Sequence, residues 1–252
     1  MQLGLQGARV AIAGSSRGMG FAIAKAFFEE GAEVWITGRD EKQLLKASKA
    51  LANCKFTICD LERGDDRKRF FSEVEQTWTS LDILVLNVGS GQASHAGLDT
   101  PDEEWHRVLN LNLVSHAGLL RLFRPLLKTS RKASVVGISS IAGQTRLGAP
   151  VSYSAAKSAL EHFCVIASKE LAEDSIRFNL VAPGNIYAEG GRWEALMTRD
   201  KEKIEQHIQA AVPMKRFGKP EEIASFVVFL ASTQASFCTG SVVRVDGGQT
   251  PA

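Results

Sequence analysis

The chain has 252 residues, 44% of them hydrophobic and 23% charged, with a formal net charge of +2. A chain of this length holds one α/β domain with a sizeable core, so residues 1–252 read as a single unit. Balanced charge leaves no basic run for nucleic acid, and no apolar run reaches the ~20 residues that cross a membrane.

In chain order, short apolar runs alternate with amphipathic stretches. Arg9–Ala13 reads as a buried strand and Gly18–Glu30 as the helix after it, with Phe21, Ala24, Phe27 and Phe28 inward and Gly31 as its stop. Glu33–Thr37 is the second strand. Asp40 follows as an N-cap with Gln43 as capping-box partner. Lys55–Cys59 is a strand, Gly64–Thr77 a helix and Asp82–Asn87 a strand. Thr100-Pro101-Asp102-Glu103 reads as a helix start with Thr100 capping and Pro101 at the first helical position, and the helix is expected to reach Leu127. Ser134–Ile138, Arg177–Val181 and Ser241–Val245 are strands, and Ser152–Glu173 and Pro220–Ser232 are helices. The strands are continuously apolar rather than alternating, as in parallel sheets covered on both faces. The fold class read from this order is α/β, a single-domain doubly wound Rossmann fold with a seven-stranded parallel sheet and helices on both faces. Ligands in such sheets bind at the carboxyl ends of the strands, where Gly14, Arg39, Asp60, Asn87, Ser140 and Gly184 fall.

Met1–Gly7 shows no basic stretch leading into an apolar one, and Val10–Ala13 is too short for a secretory signal. Cys54, Cys59, Cys164 and Cys238 are scattered, without Cys-x-x-Cys spacing, and read as free thiols in a reducing cytoplasm. The histidines show no metal-ligand spacing, and no metal is expected.

Two motifs carry chemistry. Gly14-Ser15-Ser16-Arg17-Gly18-Met19-Gly20 joins the first strand to its helix. Its glycines let the backbone approach a pyrophosphate whose charge the helix N-terminus favours, which points to a dinucleotide. The second strand ends in Gly38-Arg39, where an NAD-preferring site carries an acid for the ribose hydroxyls. Arg39, with Arg17, instead suits a 2′-phosphate, so NADP(H) is preferred over NAD(H). Asp40 is the rival acid, and its capping role is the plainer account. In the second motif, Tyr153 and Lys157 lie four residues apart on one helix face, and Ser140 lies 13 residues before the tyrosine (153 − 140). A phenol of pKa ~10 is a poor base at neutral pH, and a nearby ammonium favours its phenolate. With a serine to hold a substrate oxygen, the set suits proton exchange between an alcohol and a ketone.

With these residues and the further matches Cys59-Asp60-Leu61, Asn87-Val88-Gly89, Asn112-Leu113, Ser139-Ser140, Tyr153-Ser154-Ala155-Ala156-Lys157, Asn179 through Gly184 and Val245-Asp246-Gly247-Gly248, nearly the whole chain resembles the classical short-chain dehydrogenase/reductase family. The resemblance implies Asn112, Ser140, Tyr153 and Lys157 as catalytic: Tyr153 as general acid in reduction and base in oxidation, Lys157 on the nicotinamide ribose, Ser140 on the substrate oxygen, and Asn112 anchoring a water in a proton relay. It implies Gly14, Ser16, Arg17, Gly18, Met19, Gly20, Arg39, Asp60, Leu61, Asn87, Gly89, Tyr153, Lys157, Pro183, Gly184 and Ile186 as cofactor-binding. Val88 replaces the usual alanine and Ala188 the usual threonine. Glu189-Gly190-Gly191-Arg192-Trp193 opens a segment, about 186–212, that the resemblance makes a substrate lid, with Trp193 and Met197 either touching substrate or packing the lid.

The subgroup it looks most like is the 3-oxoacyl-[acyl-carrier-protein] reductases. Their acidic partner calls for a basic rim, to which Lys128, Arg131 and Lys132 are candidates. Asp174, where such reductases often carry a basic residue, speaks against this. A small ketone, sugar or cyclic alcohol is the alternative substrate, and a catalytically silent NADP-binding regulator is the non-enzyme reading. The family also implies a homotetramer or homodimer, with Leu109, Leu120, Phe163 and Phe237 as interface candidates. No nucleic acid or membrane partner is expected. The loops 90–99 and 186–212 are expected to shape the substrate cleft.

Overall fold

Residues 2–92 and 95–250 are described by the computed structural model, so Met1, Ala93, Ser94 and the last two residues, with the readings that touch them, lie outside it. The elements are β1 (Arg9–Ala13), α1 (Gly18–Glu29), β2 (Glu33–Gly38), α2 (Glu41–Ala50), β3 (Lys55–Ile58), α3 (Gly64–Thr77), β4 (Ile83–Leu86), α4 (Asp102–Leu109), α5 (Ser115–Leu127), β5 (Ser134–Ile138), α6 (Val151–Glu173), β6 (Arg177–Pro183), α7 (Arg192–Arg199), α8 (Lys201–Ala211), α9 (Pro220–Ala231) and β7 (Val242–Val245).

All seven strands join one parallel sheet in the order β3-β2-β1-β4-β5-β6-β7. The strands are apolar throughout because period-two alternation sends successive residues to two different cores. Val10, Ile12, Val34, Ile36, Val85 and Val136 face one core with Phe27, Leu44, Ile223 and Val227 from α1, α2 and α9. Ala11, Trp35, Leu84, Leu86, Val135 and Phe178 face the other with Phe70, Phe123, Leu160 and Leu171 from α3, α5 and α6. The order reverses between β1 and β4, whose carboxyl ends lie side by side with Ala13 opposite Leu86. That reversal opens a crevice for ligand.

Two local readings differ. Pro101, not Thr100, is the N-cap residue of α4, and the Thr100 hydroxyl donates back to the Gly97 carbonyl at 2.6 Å, closing the preceding turn instead. The expected single helix to Leu127 is α4 and α5 joined by a wide π-type turn, Asn110–Val114. Within the segment 186–212, read as a lid, the chain forms α7 and α8. Asp40 caps α2 as expected, accepting from the Gln43 N–H at 3.1 Å. All four cysteines are free. Among the described residues no helix is long and apolar enough to cross a membrane.

Candidate functional site

The glycine loop and β4 meet at the crevice. Asn87 Nδ2 donates to the Gly14 carbonyl at 2.6 Å, tying the end of β4 to the loop. Gly20 lies beneath this bond. A Cβ there would stand 2.1 Å from the Gly14 oxygen and 2.5 Å from Asn87 Nδ2, so only glycine lets α1 start this close to β1. Ser15 fixes the loop to its neighbour, donating to the Ile12 carbonyl and accepting from the Thr37 N–H. The loop therefore presents Arg17, Gly18 and Met19 to a cleft of about 480 Å³.

Of the residues expected from the sequence, Arg39, Gly89, Ser140, Tyr153, Pro183, Gly184 and Ile186 line this same cleft with Arg17, Gly18 and Met19. Gly14, Gly20, Asn87, Asn112 and Lys157 stand outside its lining, and Ser16 lines a neighbouring hollow with Arg17 and Gly18. Asp60 and Leu61 sit at the end of β3, where the Asp60 carboxylate accepts from the Glu62 N–H at 3.1 Å.

Tyr153, near the start of α6, is half-buried and faces the cleft, while Lys157, one turn on, is buried. Lys157 Nζ stands 5.9 Å from the Tyr153 ring centroid and donates to the Ile138 carbonyl at 2.8 Å. Ser140 begins the short turn Ile141–Gly143. Its oxygen accepts from the Ala142 N–H at 3.2 Å, and its hydroxyl pairs with the Tyr153 phenol. Asn112 reaches inward from the wide turn between α4 and α5. It donates to the Val108 carbonyl at 3.0 Å and the Ser90 carbonyl at 3.3 Å, and accepts from the Ser90 N–H at 3.1 Å. Turns of this type recur at functional sites because they re-aim a side chain. Gly89 separates Asn112 from Lys157: a Cβ there would lie 2.8 Å from Asn112 Oδ1 and 3.1 Å from Lys157 Nζ.

The electrostatics differ from the simple expectation. Burial pushes the Tyr153 phenol above its ordinary value, with a hydrogen bond to Ser140 and the Arg192 charge pulling it back. Burial also drags Lys157 down to about 7, opposed by the Glu161 carboxylate. In the protein alone, desolvation acts against both charged forms, raising the phenol and lowering the ammonium.

Arg17 and Arg39 line the cleft without a salt bridge among the described residues. The Asp40 carboxylate, the rival ribose ligand, is engaged in its cap. Arg192 stands near the mouth, its Nη1 at 3.5 Å from the Gly91 carbonyl. The sequence reading quoted it only within the lid, because nothing local in the chain shows that α7 swings its first residue over Tyr153. Trp193 lines the cleft and also packs the lid, stacking on His207 with centroids 5.7 Å apart and meeting Phe217 at a tilt, 5.3 Å between centroids. Met197 is not among the cleft's lining residues.

The basic rim is a correction. Lys128, Arg131 and Lys132 precede β5 and so sit at the amino edge of the sheet, away from the cleft; Lys128 pairs with Asp174 at 2.8 Å, and Arg131 and Lys132 line a separate hollow beside Phe237. Of the interface candidates, Leu120 is a core residue and Phe163 packs on Phe178 at 6.0 Å, while Phe237 is fully exposed.

A glycine cradle at a helix start, free guanidiniums and a phenol–lysine pair in one crevice define a dinucleotide-dependent oxidoreductase, and the residues present fit such a cofactor. The family model described as enoyl-(acyl carrier protein) reductase matches residues 13–250. The 3-oxoacyl-[acyl-carrier-protein] reductase FabG of Chlamydia muridarum is 34% identical over 244 residues, covering 94% of this chain and 95% of its own. The L-fucose dehydrogenase of Bos taurus is 33% identical over 241 residues, 95% of this chain and 88% of that protein. The solved structure of L-sorbose reductase from Gluconobacter frateurii, in complex with NADPH and L-sorbose, matches with a TM-score of 0.92 and 28% identity over 100% of both chains. The chain belongs to the short-chain dehydrogenase/reductase family. It is an oxidoreductase that works with a nicotinamide cofactor.

Proposed function

We propose that the protein is an NADP(H)-dependent reductase that converts a ketone to a secondary alcohol, with Tyr153 as proton donor. The observation that carries this is the convergence of Tyr153, Ser140 and Lys157 beside the glycine loop at one sheet edge. When bound, the nicotinamide supplies the hydride. Ser140 turns its hydroxyl from Tyr153 to the substrate carbonyl oxygen, donates to it and holds it in place. Tyr153 gives that oxygen its proton. A phenol held above its ordinary pKa is protonated at neutral pH, the form that reduction needs. Lys157 and Asn112, on either side of Gly89, are positioned to bind the ribose and to pass the replacement proton inward from water. The glycine loop, Asn87, Asp60, Leu61, Pro183, Gly184 and Ile186 hold the rest of the cofactor. Arg17 and Arg39 support the preference for NADP(H), since unpaired guanidiniums suit a 2′-phosphate.

Residues 186–212, with α7 and α8, act as the lid. The substrate is a 3-oxoacyl thioester, as the name of the Chlamydia relative has it, or a small ketone or sugar, as those of the fucose and sorbose enzymes have it. The displaced basic cluster takes support from a dedicated carrier-protein partner, so the small-molecule reading gains ground. Val165 and Ile166 on α6 and Phe226 and Phe229 on α9 are exposed and give a homodimer or homotetramer its apolar surface. Free thiols fit a reducing cytoplasm.

NADPH consumption against a panel of ketones, sugars and small and carrier-bound 3-oxoacyl thioesters tests the reading. Turnover of at least one carbonyl is expected. Tight NADPH binding with no turnover on any of them would instead mark a silent regulator.

A further inference from the structure

The loop that carries Ser140 is pinned to α6 at three successive levels. Tyr153, Lys157 and Glu161 are spaced by four residues and share one face of the helix. Each meets one of three consecutive residues at the end of β5. Tyr153 pairs with the Ser140 hydroxyl, Lys157 Nζ donates to the Ile138 carbonyl at 2.8 Å, and the Ser139 hydroxyl donates to Glu161 Oε1 at 2.7 Å. Gln144, just past the Ile141–Gly143 turn, adds Nε2 bonds to both Glu161 oxygens at 3.2 and 3.1 Å. Ser139 is 3% exposed, so its bond to the carboxylate is made away from bulk water. Glu161 thus grips both ends of the loop whose middle holds Ser140. It does so from the helix that holds Tyr153 and Lys157.

We propose that Glu161 is a positioning residue of this active site: it fixes the Ser140 loop against α6 and supplies negative charge that favours the Lys157 cation. The proposal rests on the reading of Tyr153 as the proton-transfer group. The groups facing the pair are few. His116, on α5, is held neutral, first by burial and then by the Lys157 charge. Cys164, one turn beyond Glu161, is a neutral thiol pushed up to about 12 by burial. Arg192, on α7, acts on Tyr153. Glu161 is the carboxylate whose charge favours the Lys157 cation. When the lysine–tyrosine pair loses its first proton, two states compete: neutral lysine with phenol, or ammonium with phenolate. The macroscopic titration belongs to the pair, and the neighbouring charge decides which state dominates. The second state is the one that accepts a proton in alcohol oxidation.

The test is the pH profile of kcat/KM for oxidation of cyclohexanol and of a small 3-hydroxyacyl thioester with NADP+, comparing Glu161→Gln, Glu161→Asp and Ser139→Ala with the parent. In Glu161→Gln the high-pH plateau is expected to fall about tenfold. The acid-limb midpoint is expected to move down by about one pH unit, because the lysine cation is then less favoured and the first proton leaves more easily from the wrong group. Ser139→Ala keeps the charge, so its midpoint stays with the parent even if its plateau drops. Glu161→Asp restores the midpoint. Binding of NADPH, followed by its fluorescence, is unchanged throughout. A Glu161→Gln midpoint equal to the parent's, whatever its plateau, overturns the electrostatic role. Failure of the underlying reading shows separately, as a Tyr153→Phe variant that turns over like the parent.

Discussion

The two edges of the sheet treat charge in opposite ways. At the amino edge Arg124, Lys128 and Arg177 have found partners within the fold. Arg124 and Lys128 converge on Asp174, whose carboxyl they hold below its usual range, and Arg124 also pairs with Glu170. Arg177, at the start of β6, donates to the carbonyls of Leu230, Ala231 and Ser232 at the end of α9, where cations complement the helix terminus. At the carboxyl edge Arg17 and Arg39 point into the cleft without a salt bridge, and Lys157 is buried beneath it with only a carbonyl as hydrogen-bond partner among the described residues. Cations that line a crevice without a salt bridge among the described residues are placed to meet a ligand's negative charge. Satisfied charge is architecture; unsatisfied charge at a crevice is recognition.

Substitution at each edge sharpens the contrast. The largest effect is expected at Tyr153. Tyr153→Phe keeps NADPH affinity and lowers turnover by about 10²–10⁴, the usual worth of general acid catalysis, as read by steady-state kinetics. Next comes Arg39→Asp, which removes one forked phosphate ligand and adds repulsion. It raises the Michaelis constant for NADPH by roughly 10- to 100-fold and that for NADH far less. Equal changes for both cofactors would deny Arg39 a role at the 2′-phosphate.

Lys157 gives a smaller effect in stability. The folded protein releases the lysine proton near 7, whereas an unfolded lysine keeps it to its ordinary value of 10.5. Between those values the unfolded chain binds more protons, so raising the pH favours folding of the cofactor-free protein. Thermal unfolding across that window should show stability climbing in the parent. The climb should be absent in Lys157→Met, and a Met variant that climbs in parallel would mean the proton comes from elsewhere. The smallest effect belongs to the amino edge. Asp174→Ala loses two partners that are themselves partly exposed, so thermal stability falls slightly and turnover is unchanged. A loss of turnover there would break the division between the edges.

Much of the site was legible because its chemistry is local. Gly14 to Gly20 is a strand–turn–helix signature, Asp40 and Gln43 are a cap, and Tyr153 and Lys157 sit one helical turn apart; all three need only neighbours within a few residues. The reading failed where a residue's role depends on a distant partner. Lys128, Arg131 and Lys132 are adjacent to a strand that ends at the cleft, yet they lie at its other end. The wide turn that aims Asn112 at Ser90 has no marker in composition, and neither does the helix start that sets Arg192 over Tyr153.

Periodicity and spacing alone determined the order of strands and helices, the two-faced burial of the sheet, the phosphate loop and the tyrosine–lysine pair. Each of these follows from backbone repeat lengths that the chain carries with it. Tertiary structure decided which charges stay unpaired, how far burial shifts the phenol and the ammonium, and that Glu161 reaches the serine loop. Those depend on dielectric and on contacts between residues far apart in sequence, which exist only once the helices close over the sheet.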